Sequence, residues 1–467
     1  MKRIIAFPII LFATQLCAQM TVEVTAVPQL TPLLDDIYIA GEFNGWTPGS
    51  GEWKLSENTE GHWQIQLPGE NNASFAFKFT RGSWATVEGN SLGGFLPDRT
   101  AIYQNGSTLQ LEIAGWEDIP GNHTVTPNVY ILDGDMLMPQ FNRTRRIWVC
   151  LPEGYHNSDE TYPVWYMHDG QNLFDVATSF AGEWQIDEHM LSNSGNPCKS
   201  IIVGIDNGGG DRMNEYAPWY NFQYDAGGEG PVYTEFLINT LKPSVDAIFR
   251  TKPGREYTCT GGSSLGGLIA MYQLLEHPEV FSRAAIFSPA FWFNEEGIMN
   301  LAANAAIPQD SYVYMIAGQN ESASMIPLMN QMNGHLLAGG LSTSQIGLGA
   351  DPSGAHSEWW WSSVFTEVYD FLASCDASVS VTTARESQWK LYPNPARDSI
   401  SIESPFQAID YELFNALGQS VQKSPVQSSG TRTIIPVDAL PSGRYTIRVQ
   451  YEENAVNTFT ELSFVKN

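Results

Sequence analysis

From about Val125 to Cys375 the chain alternates compact strand-like runs with longer helical ones, and that alternation leaves few folds open. The strand candidates are Arg146–Leu151, Val164–Met167, Ile201–Ile205, Tyr257–Thr260, Ala284–Phe287 and Tyr312–Ile316. Val232–Phe249, Leu265–Glu276 and Trp359–Leu372 are the helical candidates among them. Strands that alternate with helices pair in parallel, because each helix carries the chain back across a sheet face. The expected fold of residues 125–375 is therefore α/β: a mainly parallel sheet flanked by helices.

The flanking regions follow a different period. Residues 19–118 carry short alternating segments, such as Asp36–Ala40, Trp63–Leu67 and Phe75–Phe79, separated by Gly, Asn and Pro. That pattern predicts an all-β sandwich. Residues 376–387 are rich in Ser, Thr and Ala and read as a linker. Residues 388–467 return to short β runs and are expected to form a second, smaller sandwich. Residues 1–18 have the build of a cleaved export signal: Lys2 and Arg3, then an apolar run over Ile4–Thr14, then Cys17-Ala18. That run is too short to remain as a membrane span, and no later one is long enough, so no transmembrane segment is expected.

Composition narrows the partners. The formal net charge is −27, from 24 Lys+Arg against 51 Asp+Glu. A surface so acidic repels phosphate backbones, which excludes nucleic acid as a partner. Export permits disulfides. Cys150 and Cys259 lie in strand-like runs and read as buried free thiols, while Cys198 and Cys375 are left open to pairing. None of the cysteines shows zinc spacing, and no metal site is expected.

Gly262-Ser-Ser-Leu-Gly266 fits G-x-S-x-G with Ser264 at its centre. A strand candidate enters it and an apolar-faced helix leaves it. A serine on so tight a turn is pushed out of its surroundings, and glycines on either side remove side chains that would clash. Ser264 is the candidate nucleophile. It needs a base late in the chain, and of eight histidines only His335 and His356 are late enough. His335 sits in a helix-like run; His356 sits in the loop Ser353–Glu358 and is the candidate base. The orienting acid should follow the strand Tyr312–Ile316, which points to Glu321. Asp310 lies at the wrong end of that strand, and Asp351 is very close in sequence to His356. The oxyanion donors expected are the backbone N–H of Leu265 and that of Gln171 or Asn172, with Gly170 allowing the turn. Residues 206–219 should line the site, with Arg212, Glu215 and Tyr216 in a buried structural network.

These motifs, with His168-Asp-Gly-Gln-Asn-Leu-Phe174, Gly204-Ile-Asp-Asn207, Arg212–Pro218, Ser288-Pro-Ala290 and Gly354-Ala-His356, resemble the esterase-D-like group of α/β-hydrolases. The group includes feruloyl, acetyl-xylan and enterochelin esterases. The resemblance implies hydrolysis of carboxylic esters, often on polysaccharide, without metal or organic cofactor. Many members have Asp where this chain has Glu321. Gly41–Trp46 and Phe77–Trp84 resemble glycogen- and starch-binding-like sandwiches, which implies sugar contacts from Trp46, Lys78 and Trp84. Leu391–Ala396, Asn415–Gln419, Leu440–Tyr445 and Phe464–Lys466 resemble the C-terminal sorting domain of the type IX (Por) secretion system, which implies that machinery as a partner and a secreted or cell-surface location. Together these readings describe an extracellular serine esterase acting on acylated carbohydrate. Acyl transfer, hydrolysis of small siderophore-like esters, and a catalytically silent glycan-binding protein are the alternatives.

Overall fold

The computed structural model describes residues 19–193, 196, 198–373, 390–403, 408–415, 420–425, 432–453 and 456–466. The export-signal reading falls outside them, as do the linker, Cys375 and most of the Asn415–Gln419 motif. The chain divides into two units, Met1–Ser374 and Cys375–Asn467.

The centre of the first unit is an eight-stranded sheet. Its strands are β1 (Val129–Met138), β2 (Arg143–Cys150), β3 (Val164–His168), β4 (Ile201–Ile205), β5 (Thr258–Ser263), β6 (Arg283–Phe287), β7 (Tyr312–Gly318) and β8 (Ile346–Asp351). Their order is β1-β2-β4-β3-β5-β6-β7-β8. β2 runs antiparallel to both of its neighbours, and every other pairing is parallel. The sequence reading missed β1 and β8. β8 reads Ile346-Gly-Leu-Gly-Ala-Asp351, with two glycines in place of β-branched residues.

Both faces of the sheet are covered, and the sequence shows why. In β3, Val164 and Tyr166 belong to one core while Trp165 and Met167 belong to the other. In β4, Ile201, Val203 and Ile205 face one way and Ile202 faces the other. Strands apolar at every position must be buried on both sides. Helices α1 (Ile186–Ser192), α2 (Leu265–Glu276) and α3 (Glu358–Leu372) help to cover them. The candidate Val232–Phe249 is one helical run over 230–248, interrupted by a π-turn at Leu237–Leu241.

Before this layer come a four-stranded sheet, which includes Gln19–Ala26 and Trp63–Pro68, and a three-stranded sheet, which includes Tyr38–Gly41 and Ser74–Thr80. Val22, Val24 and Leu67 from the first sheet share one core with Ile39, Phe77 and Phe79 from the second. Contacts tie this module to the α/β layer. Leu33 N–H donates to Ile131 O at 2.9 Å, and His123 Nδ1 lies 2.7 Å from Asp175 Oδ2. In the second unit, a three-stranded and a four-stranded sheet share a core of Ile400, Ile402 and Ile435 with Leu413, Ile447 and Phe464. Among the described residues no helix is long and apolar enough to cross a membrane. Cys150 and Cys259 are free and buried, whereas Cys198 is disulfide-bonded.

Candidate active site

β5 delivers the chain to Ser264 and α2 starts at the next residue. Ser264 has φ 58° and ψ −118°, a conformation that costs a non-glycine residue on the order of 1–3 kcal/mol. Three backbone bonds hold it there. Ser264 N–H donates to Phe287 O at 2.9 Å, and its carbonyl accepts Ala290 N–H at 2.8 Å and Leu268 N–H at 3.1 Å. Close packing allows no side chain behind the turn: a Cβ on Gly262 would lie 3.1 Å from both Gly266 C and His168 Cβ. Leu265 N–H opens α2 and has no acceptor among the described residues. As an N-terminal helical donor it is available to an incoming oxyanion.

The carboxylate and imidazole lie at neighbouring strand ends. Phe287, which accepts Ser264 N–H, closes β6 and pairs with Ile316 of β7. The turn after β7 carries Glu321, whose side chain is 2% exposed. Its Oε2 is 2.7 Å from His356 Nδ1. Its Oε1 accepts Gly318 N–H at 2.6 Å and Ser288 Oγ at 2.8 Å. Burial alone would raise this carboxyl, but the bonds from His356, Gly318 and Ser288 hold it below its ordinary value. An ionised Glu321 fixes the proton on His356 Nδ1 and leaves Nε2 as the acceptor. The His356 ring stands 5.1 Å from that of Trp361, whose Nε1–H donates to Ser288 Oγ at 2.9 Å. Among the described residues the hydrogen bond of His356 goes to Glu321, and none joins it to Ser264. Its side chain is 43% exposed.

The other late candidates are engaged elsewhere. Asp310 pairs with Arg255, Asp351 accepts Trp360 Nε1–H at 3.0 Å, and His335 lies in the helix Met325–Ala338.

The loop after β3 packs against the serine turn. Its left-handed residue is Asp169, with φ 59° and ψ 47°. Gly170 is needed for space instead, since a Cβ there would lie 2.6 Å from Ile205 N. Asp169 is clamped by Arg212, Nε to Oδ1 at 2.7 Å and Nη2 to Oδ2 at 2.8 Å, and by Asn207 Nδ2 at 2.6 Å. Tyr216 OH accepts Asp169 N–H at 3.1 Å. Below the loop, burial drives His168 down to about 4, so the ring is neutral. Glu215 is fully buried and pairs with Arg143 and Arg145.

This geometry separates the two oxyanion candidates. Asn172 N–H already donates to Asp169 O at 2.9 Å. Its side chain donates to Glu358 Oε1 at 3.2 Å and accepts Phe180 N–H at 2.9 Å. Asn172 therefore ties the loop to α3, just past His356, and has no backbone donor left. Gln171 N–H has no acceptor among the described residues. The sequence reading missed the Asn172–Glu358 tie and the Ser288–Glu321 bond. Neither has a local signal, because each joins residues far apart in the chain.

In the first module, the Trp46 and Trp84 rings lie 6.3 Å apart at 39°, and Trp84 is 43% exposed. Lys78 does not join them as the resemblance implied. It is buried, its Nζ donates to Leu96 O, and it lies 5.3 Å from the Phe95 ring. A buried ammonium satisfied by a carbonyl is not free for sugar.

A serine on a strained strand-to-helix turn, two unengaged backbone donors and a carboxylate-oriented imidazole are the parts that acyl transfer through serine requires. Comparison with known proteins agrees in class. The Esterase family model, described as "Putative esterase", matches residues 138–333, and the secretion system C-terminal sorting domain model matches residues 390–460. The chain thus carries an esterase domain and a Por sorting tail, which marks it for export to the cell surface or beyond. The uncharacterized protein YbbA of Bacillus subtilis (strain 168) is 23% identical over 240 residues, 49% of this chain and 92% of its own length. The siderophore triacetylfusarinine C esterase of Aspergillus fumigatus is 27% identical over 146 residues, 30% of this chain and 48% of its own. Among solved structures, the BES protein from Bacillus cereus aligns with a TM-score of 0.45 at 20% identity, over 55% of this chain and 99% of its own.

Proposed function

We propose that this exported esterase removes acyl groups from carbohydrate esters, with Ser264 as nucleophile, His356 as general base and Glu321 as its orienting acid. One observation carries the reading: Ser264 is held in a strained, half-buried turn by Phe287, and the neighbouring Ser288 is bonded to the carboxylate that orients His356. In this mechanism His356 Nε2 takes the serine proton as Oγ attacks the ester carbonyl. Leu265 and Gln171 N–H hold the oxyanion of the tetrahedral intermediate. His356 then protonates the leaving alcohol, and water repeats the sequence on the acyl-enzyme. No metal or organic cofactor takes part in these steps. Substrate binding would bring Nε2 to Oγ, since catalytic hydrogen bonds often tighten only in the complex.

The carbohydrate assignment rests on aromatic surface. Phe180, bonded through its N–H to Asn172 in the oxyanion loop, is 92% exposed, and Trp359, three residues after His356, is 63% exposed. Flat exposed rings suit sugar C–H faces and aromatic acyl groups. Trp46 and Trp84 would supply a second, non-catalytic sugar platform. A small siderophore-type ester is the second reading, favoured by the name of the Aspergillus relative. The test is a turnover panel of feruloylated and acetylated oligosaccharides, their free methyl esters and a siderophore triester, each with Ser264→Ala as blank. A kcat/KM highest on the oligosaccharide esters supports the proposal. A highest value on the siderophore triester assigns the second reading.

A further inference from the structure

We propose that Glu183, Asp187 and Glu188, together with Thr126, form a structural calcium site that fastens the segment joining the first module to the α/β layer. Ligand oxygens of the three carboxylates lie within 4.8 Å of one another. Exposed acidic groups gather in this way without any ion. This cluster differs because it includes buried oxygens left without a partner. Asp187 is fully buried, and Asp187 Oδ1, Glu188 Oε2 and Thr126 Oγ1 are buried atoms with no hydrogen-bond partner. Native structures leave few such atoms, because an unsatisfied buried polar group costs free energy and an unpaired buried charge costs more.

The charged groups acting on Glu183 and Asp187 are themselves carboxylates, Glu188 and Asp175.

Local structure has set the donors in place. Gln185 adopts the left-handed conformation, φ 56°, just before α1. That turn brings Glu183 back over the first turn of the helix, where Asp187 and Glu188 stand. Asp187 Oδ2 accepts Thr126 N–H at 2.7 Å and Glu183 Oε1 accepts Thr124 Oγ1–H at 2.9 Å. These bonds hold the carboxylates against the connecting segment and leave their second oxygens to an ion. Glu183 is only partly buried, which leaves a way in from solvent.

The donors are all hard oxygens, which suits calcium or magnesium and not zinc. Calcium accepts six to eight oxygens in irregular geometry, whereas magnesium demands near-octahedral ligands and retains several waters. Side chains drawn from a loop, a helix and a distant segment meet the looser requirement. An exported chain also meets the conditions of extracellular modules that bind calcium at about 10⁻⁴–10⁻³ M. The sequence spacing gave no sign of this, because Thr126 joins the others only in the fold.

The test uses the full chain, stripped with chelator and titrated with calcium chloride by calorimetry and thermal unfolding, with magnesium chloride alongside. Saturating calcium should raise the unfolding temperature by about 5 °C or more, and magnesium should raise it much less. Asp187→Asn and Glu188→Gln should remove the response. Glu183→Gln, at the solvent side and expected to fold normally, should weaken calcium affinity roughly tenfold or more. A wild-type protein without calcium-dependent heat or shift overturns the site, and a gain in calcium-free stability from Asp187→Asn would then assign the oxygens to a shared proton. An undiminished calcium response in all three variants overturns it as well. None of these readouts depends on the esterase reaction.

Discussion

The serine turn and the tryptophan pair of the first module are built on opposite terms. Ser264 is a strained residue pinned by three backbone hydrogen bonds, at the junction of two strand ends and a helix. Trp46 sits in a turn and Trp84 opens a short 3-10 helix, with their rings tilted 39° and partly exposed. Chemistry needs one atom held against strain, while stacking needs only a face left open. Substitutions at the turn should therefore act all-or-none, and those at the tryptophans by degrees.

The largest effect is expected from Ser264→Ala or His356→Ala, each lowering kcat for p-nitrophenyl acetate by about a millionfold, with the double variant little worse than either. Additive losses would mean that the two do not act as a unit. Glu321→Gln should be next, at about a ten-thousandfold loss in kcat, because the amide no longer fixes the proton on Nδ1. A near-normal rate would move the acid elsewhere.

Gly170→Ala should follow. Its Cβ would meet Ile205 N at 2.6 Å and displace the loop carrying Gln171. The expected loss is about a hundredfold in kcat with KM little changed. If KM rises instead while kcat holds, Gln171 serves binding and not the oxyanion.

Stability sets a smaller contrast. His168 has an ordinary value of 6.5, lowered by burial to about 4. The unfolded chain therefore takes up this proton first as pH falls. The contribution of a neutral His168 is complete above about pH 6.5 and is lost on descending toward pH 4. His123 slopes the other way: its bond to Asp175 raises it, so its contribution is lost as pH rises through the folded value. Urea midpoints of wild type and His168→Asn, compared from pH 7 to pH 4, should converge as pH falls. Parallel curves would remove His168 as the cause. The smallest effect belongs to the first module, where Trp84→Ala should leave p-nitrophenyl acetate turnover unchanged and weaken retention on insoluble glucan by a few-fold. Unchanged retention would make the pair structural.

The contrast between the two regions also explains what the sequence could reveal. The nucleophile turn was legible because glycines at fixed offsets, an entering strand and a leaving helix are local requirements. The helix Leu265–Glu276 lies where its apolar spacing put it. Glu321 followed from counting strands, and the structure pairs it with His356. Lys78 misled because the resemblance carries residue type and not environment, and a neighbouring carbonyl claims its ammonium. Asn172 and Gln171 could not be separated in sequence, because only the fold shows which N–H Asp169 O has taken. Strand β8 was missed for its glycines, and the calcium cluster for the distance of Thr126 from α1.

The central claim is that Ser264 is the activated nucleophile of this esterase, and active-site labelling tests it most directly. Folded full-length protein treated with a fluorophosphonate should carry one adduct, on the peptide containing Ser264. Labelling should vanish in Ser264→Ala and slow sharply in His356→Ala. An unlabelled wild-type protein, or an adduct that persists in Ser264→Ala, would contradict the account.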